Sequence, residues 1–384
     1  MTVTNWTDYF EHMLPEMTAE LKHYAEFETP TSDKQSVDAL GDYIAAQFEQ
    51  LGCRVRKMEQ PIYGNQLIIE YGTAEDSILC LGHFDTVKPV GTIEQQPLLE
   101  KDGKLYGPGV YDMKNGIVIA YFVLKTIIEQ QLPLLHKLVF FWNTDEEVGS
   151  PSSREAIQDI AAQCQAVLVL EPSTEDGEIN TSRKGGGEFY LKVLGRESHA
   201  GNEHQQGVNA IEELSRHIPT IQSWTDYEAG TTCSVGLITG GTASNVVPGT
   251  AEAVIDVRVS TQAERERITR LFQQLKPIHP EAKLELSGSI YTPPMERTER
   301  SAALFRWIQQ LAAEEQLHLQ ERGSGGMSDG NYAAGSGTPV VDGLGAAGAG
   351  AHAVHEHILI HSLAERASLL LRLLASNLPG EPRS

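Results

Sequence analysis

ILCLGHFDT, residues 78–86, is an apolar run that ends directly on an imidazole and a carboxylate, His83 and Asp85. Two later stretches have the same form: LVFFWNTDEE (138–147) runs into Asp145-Glu146-Glu147, and AVLVLEP (166–172) runs into Glu171. Short apolar runs of this kind read as strands buried on both faces, as a parallel sheet requires. Such a sheet delivers the side chains that follow its strands to one crevice at its carboxyl edge. Three endings made of His, Asp and Glu therefore nominate one shared site, and those residue types point to a metal centre.

Working outward, LIIEY (67–71) reads as a further strand and the apolar stretch Gly116–Ile128 as a helix, so strand and helix alternate as in an α/β sheet. Residues up to about 55 read as amphipathic helices, interrupted at Glu28-Thr29-Pro30-Thr31-Ser32-Asp33, where Pro and the Ser/Asp pair favour a turn and a new cap. From Arg183 the order changes. EFYLKVLG (188–195) is a strand, Val208–Trp224 a helix, CSVGLIT (233–239) and AEAVIDVRV (251–259) strands, Gln262–Leu275 a helix and KLELSG (283–288) a last strand. That β-α-β-β-α-β order is the split unit of ferredoxin-like domains. After Pro293-Pro294 come a fresh helix (Ser301–Glu315) and the strand TPVVDG (338–343). The expected organisation is a catalytic domain in two parts, 1–182 and 291–384, with an α+β ferredoxin-like domain, 183–290, inserted between them.

The chain carries 52 acidic against 30 basic residues, a formal charge of −22, which repels phosphate backbones and anionic lipid. Nucleic acid and membrane surfaces are therefore not expected partners. No run approaches the ~18 apolar residues of a spanning helix, and the start, MTVTNWTDYFEHMLPEM, lacks a basic segment followed by an apolar one. Cys53, Cys80, Cys164 and Cys233 are scattered without CxxC spacing and read as reduced core residues. The expectation is a soluble cytoplasmic protein.

Each element of the candidate site has an ordinary reading beside the chemical one. His83 and Asp85 form an HxD pair in which the carboxylate orients the ring by accepting its second N–H, although His and Asp are common after strands. Asp112 lies in GPGVYDMKNG (107–116), where it could cap the helix that follows, or bridge two cations ~3.5–4 Å apart. Three adjacent acids, 145–147, repel one another unless a cation or proton lies among them, and neighbouring side chains point apart, so one glutamate can ligate while the next faces substrate. Glu171 precedes Pro172 at a strand end, where an unpaired buried charge is unfavourable. Four histidines close together, His352, His355, His357 and His361, follow a Gly/Ala-rich loop. His357 and His361 have the i, i+4 spacing of one helical face in a helix starting near Glu356, whereas His352 precedes that helix and is the better placed ligand.

Taken in order, GHFDTV (82–87), GPGVYDMKNG, NTDEEVGS (143–150), LEPS (170–173), SHAG (198–201) and GAGAHAVHE (348–356) resemble the co-catalytic di-zinc peptidases and deacylases. That family includes glutamate carboxypeptidase, acetylornithine deacetylase and succinyl-diaminopimelate desuccinylase, and the bacterial glutamate carboxypeptidase is the nearest in pattern. The resemblance covers nearly the whole chain. It implies a zinc-exopeptidase-like, mostly parallel sheet flanked by helices, with the insertion as lid and dimerisation domain of a homodimer. It also implies two Zn2+ ions per subunit, replaceable by Co2+ or Mn2+, with Asp112 bridging, His83 and Glu171 on one ion and Glu147 and His352 on the other. Glu146 becomes general base for a metal-bridging hydroxide, and Asp85 orients His83.

In the insertion, the resemblance implies that His199 and Asn245 reach the reacting carbonyl across the dimer interface and that Arg258 holds a substrate carboxylate with its two-pronged guanidinium. GSGGMSDG (323–330), with Gly326 at its centre, is similar to a loop lining the specificity pocket in relatives. One departure is His355, where relatives commonly carry Asn or Asp. The implied activity is release of a C-terminal amino acid, glutamate among the candidates, from a peptide or N-acyl conjugate. An N-acyl amino acid deacylase needs the same groups, and a non-catalytic binding protein of this fold is disfavoured because every ligand position and Glu146 carry competent residues. Gly185-Gly186-Gly187 has neither GxGxxG nor P-loop spacing, which argues against a nucleotide site.

Overall fold

The computed structural model describes residues 5–378. In chain order the principal elements begin with helices α1 (Trp6–Glu11), α2 (Leu14–Glu26) and α3 (Lys34–Gln50), then strands β1 (Arg54–Met58), β2 (Gln66–Tyr71) and β3 (Ser77–His83). There follow α4 (Asn115–Glu129), β4 (Lys137–Asn143), β5 (Ala166–Val169), β6 (Ile179–Arg183) and β7 (Gly185–Leu194). After these come α5 (Ala210–Gln222), β8 (Thr232–Gly240), β9 (Thr250–Val259), α6 (Gln262–Gln273) and β10 (Lys283–Thr292). The chain closes with α7 (Glu299–Glu314), β11 (Glu321–Ser324), α8 (Asp329–Ala334), β12 (Val340–Asp342) and α9 (His361–Leu374).

Two compact units divide the chain: one holds residues up to Ser182, Arg297–Gly323 and the segment from Ser328 onward, and the other holds Arg183–Glu296 with Ser324–Met327. The second therefore runs past the Pro293-Pro294 break, because β10 continues to Thr292 and Met295 bridges back to Arg183.

In the first unit, eight strands run in the order β1-β2-β4-β3-β5-β12-β6-β11. Its centre is parallel: β3 lies between β4 and β5, and β12 continues on the far side of β5. Every residue of β3 is buried, which is why SILCLGH reads as continuous rather than alternating. Antiparallel pairs, β1 to β2, β2 to β4 and β12 to β6, flank that centre, so the sheet is mixed. At one edge, β1 carries Arg54, Arg56 and Lys57, charges that discourage pairing with another chain. Phe48 of α3 packs on Phe140 and Trp142 of β4, and α4, apolar nearly all round, is buried along most of its length. All four cysteines are buried and unbridged. No described helix is long and apolar enough to cross a membrane.

The second unit is a four-stranded antiparallel sheet, order β8-β9-β7-β10, with the chain order β-α-β-β-α-β of a ferredoxin-like fold. In β9 alternate residues Ala251, Ala253, Ile255, Val257 and Val259 are buried, the period of a strand with one covered face. Phe189 of β7 stacks on Phe272 of α6 with ring centroids 3.8 Å apart.

The histidine cluster differs from the helical expectation. His357–Leu359 is a strand, paired with Lys104–Tyr106 and Gly348–Ala349, and the helix begins only at His361. His357 and His361 therefore share no helical face. The reason is pairing: the HIL segment joins a small sheet whose hydrogen bonds a four-residue spacing cannot foresee.

Candidate metal centre

Register puts the three strand endings side by side. His83 closes β3 opposite Asn143 at the end of β4, and Leu81 lies opposite Val169 at the end of β5, so the residues that follow emerge at one sheet edge. Asp112 arrives from the loop before α4. It is extended, with φ −111° and ψ 104°, and the helix begins three residues later, so it does not serve as the helix cap. His352 arrives from the turn between Gly348–Ala349 and His357–Leu359, with φ +65°, a left-handed conformation uncommon outside glycine.

These side chains converge. His83 Nε2 lies 3.2 Å from Asp112 Oδ1, 3.3 Å from Glu171 Oε1 and 3.8 Å from Glu146 Oε2. His352 Nε2 lies 3.3 Å from Asp112 Oδ2 and 3.0 Å from Glu147 Oε2. The two oxygens of Asp112 thus face different histidines, each with its own glutamate. His83, Asp112 and Glu147 offer ligand atoms within 4.8 Å of one another. Two buried atoms, His83 Nε2 and Glu147 Oε1, make no hydrogen bond, although most buried polar atoms do.

Asp85 organises the floor. Its carboxylate is 3.3 Å from His83 Nδ1 and accepts from the Thr31 hydroxyl at 2.7 Å and from the amides of Glu146 and Glu147, each at 3.3 Å. The ring's own hydrogen bond runs from Nδ1 to the Asp85 main-chain carbonyl at 3.1 Å, so this one residue fixes the ring and the acidic turn together. Glu356 does the same for Asp112: it is buried and accepts from the amides of Tyr111 at 3.0 Å and Asp112 at 3.2 Å. Asp329 holds the Asn143 and Ser150 side chains at the two ends of the acidic turn. Sequence reading passed over Thr31, Glu356 and Asp329. Glu356 and Asp329 carry a weak signal, as acids within GAGAHAVHE and GSGGMSDG, but the partners of Thr31 and Asp329 lie 54 and 179–186 residues away and no spacing points to them.

The electrostatics are those of acids crowded out of water. Burial raises Glu146 well above the usual carboxylate range, helped by Glu171, Asp329 and Glu147 and opposed by His83. Glu171 is pushed up to about 7 by burial and by Asp112, and Glu147 is raised chiefly by burial. Burial acts against charge on His83, but Asp112, Asp85 and Glu171 outweigh it and raise the imidazole well above its ordinary value. Hydrogen bonds to Asp112 and Glu147 lift His352 to about 10. Carboxylates crowded this closely repel one another unless a proton or a cation lies among them.

In the second unit, Ser198 and His199 pair with Val247 and Val246, which brings the SHAG motif beside Asn245. His199 is exposed, and its Nδ1 accepts from the amides of Gly201 at 3.1 Å and Asn202 at 3.0 Å, so the ring proton resides on Nε2 and points outward as a donor. The guanidinium of Arg258 is engaged by Asp256, at 2.8 Å from Nη2 and 3.1 Å from Nε. Gly326 is exposed, its amide donating to Ser324 Oγ at 3.1 Å. His355 is exposed, and its carbonyl lies 2.9 Å from His357 Nδ1. His357 itself contacts Glu175 and Lys104, each at 2.9 Å, and takes no part in the cluster.

Residues 79–376 match the model of "Peptidase family M20/M25/M40". Carboxypeptidase G2 from Pseudomonas sp. (strain RS-16) is 28% identical over 370 residues, covering 94% of this chain and 89% of its own. A succinyl-diaminopimelate desuccinylase from Acinetobacter baumannii (strain SDF) is 28% identical over 311 residues, covering 75% and 80%. Among solved structures, aminopeptidase PepT from Bacillus cereus ATCC 10987 superposes with a TM-score of 0.79 at 20% identity, covering 94% of this chain and 98% of its own. An M20 family metallo-carboxypeptidase from Sulfolobus solfataricus gives 0.72 at 16%, covering 94% and 99%.

Proposed function

The chain belongs to peptidase family M20/M25/M40, an enzyme family of metal-dependent peptidases and amidohydrolases, and from that premise we propose that it releases a C-terminal amino acid, glutamate among the candidates, from a peptide or N-acyl conjugate. The observation that carries the reading is the division of Asp112, one oxygen toward His83 and one toward His352, with Glu146 beside the first.

The residues fit a metal pair. His83 Nε2 and Glu147 Oε1 are buried, lack hydrogen bonds and border the cluster, and a set of imidazole nitrogens and carboxylate oxygens suits zinc, with cobalt or manganese as substitutes. His83, Glu171 and Asp112 would hold one ion; His352, Glu147 and Asp112 would hold the other. The chemistry such ions supply when bound is Lewis acidity, which polarises an amide carbonyl and makes water acidic near neutral pH. Glu146, 3.8 Å from His83 Nε2 at the border of the cluster, takes the proton from the attacking water and delivers it to the departing amine. Asp85 keeps the His83 ring and the Glu146 amide in register while the proton moves. No side-chain nucleophile is needed, so no covalent intermediate forms. By the family resemblance, His199 and Asn245 would act on the reacting carbonyl across a dimer interface, Gly326 would line the substrate, and Arg258 would bind the substrate carboxylate by exchanging Asp256 for it. A homodimer through the second unit is supported by β8, an edge strand exposing Leu237 and Ile238, 67% and 53% accessible.

A second reading, N-acyl amino acid deacylase, is favoured by the desuccinylase relative, whose name places acyl rather than peptidyl chemistry at 28% identity. A hydrolysis screen of zinc-loaded protein separates the two. The carboxypeptidase reading expects turnover of dipeptides and glutamate conjugates; turnover confined to N-acetyl or N-succinyl amino acids refutes it.

A further inference from the structure

We propose that Asp329 is a positioning residue for this reaction: its carboxylate ties both ends of the Asn143–Ser150 turn and so holds Glu146 and Glu147 against the metal site. The inference rests on the reading of those two glutamates given above and extends it to a residue outside the cluster.

Asp329 opens α8 and is buried. Its Oδ2 accepts from Asn143 Nδ2 at 2.7 Å, and its Oδ1 accepts from the Ser150 hydroxyl. Asn143 passes the restraint on, because its Oδ1 accepts from the amides of Thr144 at 2.6 Å and Asp145 at 3.3 Å. At the far end, Tyr332, also on α8, donates its hydroxyl to the Gly149 carbonyl at 2.9 Å. Ser150 is left-handed, φ +55°, so the turn leaves its glutamates by a conformation that surrounding contacts must sustain. The brace is itself anchored, since Ser328 caps α8 while donating to Asp342 at the end of β12 at 2.5 Å. Asp145, the turn's own first acid, is not free for the site: it accepts from the Ser152 amide and hydroxyl and from the Ser153 hydroxyl.

A carboxylate at 329 is electrostatically unfavourable, for burial pushes it up to about 6 even with Ser150 and Asn143 donating to it. What it provides is two acceptors aimed at two donors seven residues apart, with the candidate base and a candidate ligand between them. Displacing a reacting group by about 1 Å costs on the order of 100-fold in rate.

The test uses full-length Asp329→Ala, Asp329→Asn and Ser150→Ala, with zinc affinity of the metal-stripped protein by calorimetry, kcat and KM of the zinc-loaded protein, and folding by circular dichroism. Asp329→Ala should weaken zinc binding about 10–100-fold and lower kcat about 100-fold, with KM little changed. Asp329→Asn should recover most of both, because its amide oxygen still accepts from Asn143 and its N–H can donate to Ser150 Oγ. Ser150→Ala, which removes its bond to Asp329 and the one it accepts from Asn143 at 3.2 Å but leaves Asn143 tied to Asp329, should fall between. Wild-type zinc affinity and kcat in Asp329→Ala overturn the proposal, as does an Asp329→Asn variant no better than alanine, which would assign the effect to charge. Should Asp329→Ala not fold, unaltered zinc affinity in Ser150→Ala overturns it instead. Wild-type protein that binds zinc but hydrolyses nothing sinks the hydrolase reading, while the affinity measurements still judge Asp329.

Discussion

Glu146 and Glu147 are neighbours in sequence, yet the structure separates them: Glu146 lies toward His83 and Glu147 toward His352. If one is base and the other ligand, Glu146→Gln should lower kcat by about 10²–10⁴-fold and leave bound zinc, assayed by atomic emission, unchanged. His352→Ala should instead weaken zinc binding by more than the roughly 10–100-fold that loss of an outer partner costs. Equal loss of zinc in the two variants would falsify this division. Away from the site, Lys104 and then His357 hold Glu175 down at about 2. A depressed carboxylate contributes stability that is present above its unfolded value, about 4.3, and disappears as pH falls toward the folded value. Glu175→Gln should therefore unfold at a lower temperature than wild type at pH 6, and the gap should close by about pH 2. An unchanging gap across that range excludes the linkage. His357 was legible only as one histidine among four; its partners come from distant strands and loops, and no spacing along the chain foretells them.

At the level of elements, apolar runs and their endings were readable because a strand buried on both faces must be apolar throughout, and β3, β4 and β5 satisfy that condition. How closely the elements approach was not readable. Gly116, in the first turn of α4, packs so tightly on the end of β5 that an added methyl would meet the Leu170 carbonyl and the Met113 side chain. Alanine is the better helix former by at most about 1 kcal/mol, while forced overpacking costs about 1–3 kcal/mol. Gly116→Ala should thus lower stability in urea despite the gain in propensity, and, because Asp112 and Glu171 flank the contact, weaken zinc binding as well. A stabilised variant with unaltered zinc affinity would show that the helix can move away freely. The mixed sheet teaches the same point: LIIEY reads as a strand as the parallel runs do, yet β2 pairs antiparallel with β4, a direction set by chain connectivity.

For the molecule as a whole, an excess of acid is part surface and part site: His83, Asp112, Glu146, Glu147 and Glu171 gather several carboxylates where water is scarce. Relief of their repulsion predicts that zinc at about 100 times its Kd adds roughly 2.7 kcal/mol to the unit that holds the site, seen as a higher unfolding temperature that chelator reverses. No shift with zinc, cobalt or manganese would argue against a metal centre. The chain alone determined that strands of this composition would be buried, that acids and a histidine would follow them at one edge, and that a β-α-β-β-α-β segment would interrupt the first unit, since side-chain periodicity and strand length are local properties. Only the tertiary structure decided that Thr31 and Glu356 hydrogen-bond to Asp85 and to the Asp112 amide, that Asp329 joins Asn143 to Ser150, and that His357 pairs with Glu175 and Lys104. Those are contacts between residues tens to hundreds of positions apart, set by packing and hydrogen-bond satisfaction in the folded state, and a linear pattern holds no record of them.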